Sequence, residues 1–210
     1  MTNKLQATFR EVACGYKRDI MDVPCPDKWF DVCQMRNSEG KLPYRDIAEL
    51  DNGVRKIIIV LESPHVDEFE DENAPCPANG TTGRFLRSFW DKIFGNAYDG
   101  YAAVLVNAVQ YQCSLGIQPI DGRTRDLVFQ TLLDMEFFRE DLERRISAIV
   151  ASGNVILNAC TMGMARTIRK LTNKEMVGQV LNKRWRCLDV YHPSSWMFQW
   201  KKVKSVVSAH

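Results

Sequence analysis

Three short segments gather side chains able to act on a polar substrate. Glu62-Ser63-Pro64-His65 holds a carboxylate and an imidazole. Asn107-Ala108-Val109-Gln110-Tyr111 holds two amides and a phenol, and Tyr191-His192-Pro193-Ser194-Ser195-Trp196 holds a second imidazole beside two hydroxyls. A carboxylate orients water or favours a cationic centre, an imidazole donates to a growing anion, and an amide offers a donor and an acceptor at fixed spacing. Singly, each is ordinary: a strand-end acid, a turn amide, a surface histidine. Jointly they form a set for cleaving a polar bond, provided that the fold brings them to one crevice. His65 and His192 are two of only three histidines, and the seven cysteines contain no Cys-x-x-Cys pair. Neither a disulfide framework nor a zinc site is expected, and no cofactor is called for.

The elements that must position these residues are legible as apolar runs. Lys56 to Leu61, Ala102 to Val106, Asn154 to Leu157 and Arg186 to Tyr191 read as strands, the first three apolar enough to be buried on both faces. Between them, Arg84 to Phe94, Asp126 to Val150 (two helices), Met162 to Leu171 and Trp196 to Val207 carry helical spacing. Alternation of this kind predicts an α/β fold: three layers, α/β/α, around a central, mostly parallel four-stranded sheet. Ligands of such sheets bind beyond the carboxyl ends of the strands, where all three segments fall. One domain over residues 1–210 is expected, with 1–54 as a helical extension packed on it, and the turn-rich stretch Asp71 to Gly83 reads as a functional loop.

The 210 residues are 45% hydrophobic and 26% charged, an ordinary globular mixture without a run long enough to span a bilayer. No apolar stretch of secretory-signal length opens the chain, so a cytoplasmic monomer without membrane contact is expected. The net charge of +2 conceals an asymmetry. From Thr161 onward ten Lys and Arg face two acids, whereas the first 160 residues hold 18 bases and 24 acids. A basic segment favours a polyanionic partner, because neutralised phosphates release condensed counterions.

The three segments, in this order, resemble motifs of the uracil-DNA glycosylase superfamily. Ile59-Val60-Leu61-Glu62-Ser63-Pro64-His65 resembles its water-positioning motif, with Leu61 where a glycine is usual. Val104-Leu105-Val106-Asn107-Ala108-Val109 is similar to the strand whose terminal Asn binds the extruded base. Tyr191-His192-Pro193-Ser194-Ser195 resembles the His-Pro-Ser loop that stabilises the departing base and enters the duplex. The likeness spans residues 55 to about 205. It implies a glycosylase-like fold and a monofunctional DNA glycosylase, with Glu62 and His192 catalytic. Asn107, Ser63, Pro64, His65, Phe85 and Tyr111 would then line the base pocket. Ser194, Ser195, Trp196 (as the wedge), Lys201, Lys202 and Lys204 would contact single- or double-stranded DNA.

His65 replaces the bulky Tyr that blocks C5 in the uracil-specific branch, so uracil or a C5-modified pyrimidine, such as a modified cytosine of phage DNA, is the expected substrate, with a role in anti-phage defence. The iron-sulfur cysteines of the thermophile-type branch do not map onto Cys14, Cys25 and Cys33, which predicts no cluster. Two other readings compete. One is a catalytically inactive nucleic-acid-binding protein of the same fold. The other is a thiol hydrolase built on Cys160, whose flanks lack the glycines of a nucleophile elbow.

Overall fold

A computed structural model describes residues 2–15, 21–37, 40–71, 74–114, 122–151, 153–163 and 171–209. The expected helix from Met162 to Leu171 falls mostly outside these residues. The four expected strands form: β3 (Lys56–Leu61), β4 (Ala102–Asn107), β5 (Val155–Asn158) and β6 (Cys187–Asp189). They lie side by side in the order β4-β3-β5-β6, all parallel.

The sheet does not stop at four strands. β1 (Lys28–Asp31) pairs antiparallel with β4, and β2 (Arg45–Asp46) pairs antiparallel with β1, so the sheet is six-stranded and mixed. Both added strands come from the segment expected to be purely helical, which otherwise supplies α1 (Thr2–Cys14) and the short α2 (Val32–Asn37). The Lys28-Trp29-Phe30-Asp31 run is too short for its period to register in the sequence, and its strand state comes from covering the exposed edge of β4.

Period-two alternation divides each central strand between two cores. Ile58, Val60, Val104, Val106 and Ile156 face α1, α4 (Gly122–Asp134), α5 (Glu136–Ile149) and α6 (Asn173–Leu181). Ile57, Ile59, Leu61, Leu105 and Leu157 face α3 (Thr81–Phe94) and α7 (Trp196–Ser208). Helices on both faces explain why the central strands read as continuous apolar runs. α6 begins with a capping box, Thr172 and Glu175 each accepting from the other's backbone N–H. No helix among the described residues is long and apolar enough to cross a membrane.

Beyond the strands, the ladder continues into the loops. Ala108 N donates to Leu61 O at 2.8 Å, Val109 N to Glu62 O at 3.0 Å and Ala159 N to Val60 O at 2.9 Å. Consequently the carboxyl ends of β3, β4 and β5, on either side of the point where strand order reverses, are held in register.

Candidate active site

A cleft of about 300 Å³ opens at these carboxyl ends. Two of its walls come from the residues after β3 (Glu62, Ser63, Pro64, His65) and the loop after β6 (His192, Ser194). Glu68, the Thr81 and Thr82 pair at the start of α3, Arg125 of α4, and Thr161 after β5 also line it. Its size lies at the small end of the range for small-molecule sites, roughly 300–1,000 Å³.

Glu62 is 4% exposed. Its Oε2 accepts a hydrogen bond from the Thr161 hydroxyl, and Arg125 Nε lies 3.0 Å from Oε1. Oε1 is shut off from solvent and faces Arg125 through this ion pair. Burial pushes the Glu62 carboxyl above the usual carboxylate range, against the opposing pull of Arg125 and Thr161. A carboxylate in this state has a heightened affinity for its proton. Arg125 is itself held by Asp126 at 2.8 Å, Asn173 Nδ2 donates to Asp126 at 2.9 Å, and Gln130 donates to Asn173 at 2.6 Å. This chain of contacts ties Glu62 to α4 and α6.

His192 lines the opposite side. Its Nδ1 accepts the Ser194 backbone N–H at 3.3 Å and lies 2.8 Å from the Ser194 hydroxyl. With Nδ1 an acceptor, the network assigns the proton of the neutral ring to Nε2. Packing on the protein side of the ring, then the charges of Arg125 and Lys174, push its pKa down to about 4. Near neutral pH the ring is therefore an uncharged N–H donor.

Several expected site residues lie elsewhere. Trp196 is fully buried against Phe94, its Nε1 donating to Tyr191 O at 2.7 Å, so it is a core residue and not a wedge. Positions 196, 203 and 207 form the inward stripe of α7, which turns the next two residues outward: Met197 is 48% and Phe198 76% exposed. Tyr111 is buried and stacked on Phe9 of α1 at 5.0 Å, because the N-terminal helix covers that part of the β4 loop. Phe85 pairs with Phe89 on the outer flank of α3 and does not line the cleft, the inward stripe being Leu86, Trp90 and Ile93. Cys160 is fully buried with its thiol 3.8 Å from Val60 O, and burial pushes its pKa well up, which removes the thiol-nucleophile reading.

Asn107 ends β4 as expected but stands behind the cleft wall. Its Nδ2 donates to Glu68 Oε2 at 3.4 Å, and it is Glu68 that lines the cleft. The Asn107 carbonyl is pinned by buried Arg145, whose Nη2 donates to Asn107 O at 3.0 Å and Ala108 O at 3.1 Å while Asp27 and Asp141 neutralise the guanidinium. Ser63 is half-buried, Pro64 is buried, and the His65 ring caps the following turn through Asp67 N. Lys201, Lys202 and Lys204 are exposed on α7, with Lys202 over the Tyr191 ring and Lys201 over Trp200. Ser195 is half-buried and starts α7.

Arg125, Thr161 and Glu68 carry no signal in the sequence. Glu68 belongs to the run Asp67, Glu68, Glu70 and Asp71, which reads as a solvated acidic stretch until the single-turn helix Val66–Phe69 points it inward. No family model, curated protein or solved structure matches this chain.

Proposed function

We propose that the protein is a monofunctional DNA glycosylase that hydrolyses the N-glycosidic bond of an extruded pyrimidine and leaves an abasic site. One observation carries the reading: a buried carboxylate and a neutral imidazole whose proton its own hydrogen bonds assign to Nε2 line one cleft of about 300 Å³. Such a bond breaks with positive charge growing on the sugar and negative charge on the base, so opposite groups are needed at the two ends. Glu62 holds the water and favours the cationic sugar. His192 donates from Nε2 to the base as the C1′–N electron pair leaves with it. Water oxygen then bonds C1′, and the proton it sheds, taken up by Glu62, passes to the departed base.

The order of the three motifs and the parallel strands β4-β3-β5-β6 support a relationship to the uracil-DNA glycosylase superfamily. Arg125 is the one cation among the described residues lining the cleft, and an arginine forms no Schiff base, in keeping with hydrolysis alone. A second, open cleft of about 590 Å³, lined by Lys41, Asn79 and Arg84 and sharing Asp67 and Gly80 with the first, supplies room for a substituent on the base. This favours a C5-modified pyrimidine, such as a modified cytosine of phage DNA, and a role in anti-phage defence. Phe198 and Met197, exposed beside the His192 loop, take the place of Trp196 as the side chains that fill the vacated stack. Lys201, Lys202 and Lys204 grip phosphates from α7.

The test is base release from oligonucleotides containing uracil, hydroxymethylcytosine, glucosylated hydroxymethylcytosine or normal bases, read by alkaline scission and mass spectrometry. Release confined to one base, and slowed about 10²- to 10⁴-fold in Glu62→Ala and His192→Ala, is expected. Release that survives both substitutions overturns the assignment.

A further inference from the structure

Glu62 can take a proton from water only while it is a carboxylate, yet its side chain is buried, and a buried charge reverts to its neutral form unless something nearby holds it. The groups that face it from the surrounding elements are few. Cys113 after β4 and Cys160 after β5 are thiols whose pKa burial raises, so both are neutral near pH 7. Thr161 after β5 donates its hydroxyl, and Asn173 of α6 adds a second favourable dipole. Asp126 of α4 opposes the charge. Across the cleft stand His65, Asp67, Glu68 and the neutral ring of His192. Among these groups a full positive charge comes from Arg125 alone, 3.0 Å from Glu62 Oε1.

Arg125 is itself built in. Its Nε and Nη2 donate to Asp126 Oδ1 at 3.2 and 2.8 Å, Asn173 donates to the same oxygen at 2.9 Å, and Gln130 donates to Asn173 at 2.6 Å. Asp126, Gln130 and Asn173 are all buried, whereas the Arg125 side chain is 33% exposed. Gly163 (φ 60°) closes the chain after Thr161 over this network, where a Cβ would lie 2.5 Å from Asn173 Nδ2. An exposed cation ordinarily loses side-chain freedom when it pairs, which cancels most of the attraction. Here Asp126 already fixes the planar guanidinium, so Glu62 meets a positive charge that is held in place. With two carboxylates against it, Arg125 has no surplus charge for a DNA phosphate.

We propose that Arg125 is a positioning residue that holds Glu62 as an oriented carboxylate at the cleft, and that Asp126, Asn173 and Gln130 hold Arg125 for that task. The assignment rests on the glycosylase reading and adds to it the group on which the charge of Glu62 depends. An opposite charge at this distance lowers a carboxyl pKa by about 1–3 units, so removing the guanidinium raises the proton affinity of Glu62 and leaves it ionised only at higher pH.

The experiment records kcat/KM against pH, on the oligonucleotide that the wild type processes, for the wild type, Arg125→Met and Arg125→Lys. In the same proteins the carboxyl carbon signal of Glu62, identified by its loss in Glu62→Gln, is titrated by NMR. His192 must also be neutral and titrates at about 4, with Arg125 among the charges that lower it, so the carbon signal decides which group sets the acidic limb of the profile. In Arg125→Met the limb and the carbon signal are expected to move up together by about 1–3 units, so that a rate deficit of about 10- to 10³-fold on the acidic side closes as pH rises. Arg125→Lys keeps the cation and stays nearer the wild type. A merely structural role of Arg125 lowers the rate equally at every pH and leaves the carbon signal where it was. A Glu62 signal that stays or moves down in folded Arg125→Met, or one displaced as far in Arg125→Lys, overturns the assignment. If Arg125→Met does not fold because Asp126 is left without its counter-charge, Arg125→Met combined with Asp126→Asn removes both. Arg125 acts on Glu62 more strongly than Asp126 does, so the signal must still move up, by less. Release with an unmoved Glu62 signal refutes this proposal alone, while no release from any oligonucleotide refutes the glycosylase reading and this proposal with it.

Discussion

Replacing Glu68 by Gln makes the stability of this protein respond to pH in a way that isolates one carboxyl. In the folded chain Glu68 keeps its proton up to about pH 8, against about 4.5 for an ordinary glutamate, because burial penalises the charged form. Its contribution to stability is fully present below the unfolded value and is lost as pH rises toward the folded one, since over that interval only the folded state holds the proton. Each unit of difference is about 1.4 kcal/mol, so the whole interval is worth on the order of 5 kcal/mol. Glutamine keeps the size and one acceptor without ever ionising. Wild type and Glu68→Gln should therefore have similar unfolding free energies at pH 4.5, and the variant should lead by several kcal/mol at pH 9. Denaturant unfolding at both pH values, with the slope checked for constancy, reads the difference. Taking the variant against the wild type cancels the other titrating groups common to both. A gap that is the same at both ends of the range, or a wild type that gains on the variant as pH rises, refutes the argument that this carboxyl is buried with a raised pKa.

Nitrogen chemical shifts of the His192 ring should report a neutral Nε2–H tautomer through pH 5, with protonation only near pH 4. Since that pKa is lowered, the ring's contribution to stability is present above pH 6.5 and is lost as pH falls through about 4. Truncating Arg145 to Met leaves Asp27 and Asp141 buried without their counter-charge and should cost about 3–5 kcal/mol in denaturant unfolding. Trp196→Ala should lose about 3–5 kcal/mol as a core truncation, whereas Phe198→Ala should stay within about 0.5 kcal/mol. In a base-release assay the order reverses in meaning: Phe198→Ala, though as stable as the wild type, should slow release from duplex DNA more than from single strands.

Apolar patterning alone specified much of this fold. Runs such as Lys56 to Leu61 and Ala102 to Val106 can bury both faces only inside a parallel sheet covered by helices, so the α/β class, the four central strands and the location of Glu62, Asn107 and His192 at strand ends follow from the sequence. Local pattern carries no information about which non-local partner a short segment finds. Lys28 to Asp31 becomes a strand because β4 has an edge to cover, and Trp196 enters the core because α7 docks its 196, 203, 207 stripe. Tyr111 is lost to the site because α1 packs over it. The polar wiring of the cleft was the least legible part. Arg125 meets Glu62 across 63 positions of chain, Thr161 across 99 and Asn107 meets Glu68 across 39, and no periodicity encodes such pairings. Glu68 illustrates the physical reason. A carboxylate beside other acids defaults to water, and only the closed Ala78 loop, the Asn107 amide and the packed sheet end remove that water and shift its proton affinity. Residue types decided which chemistry the chain can hold, and tertiary burial decided which of those groups carry charge, which carry a proton and which reach a ligand.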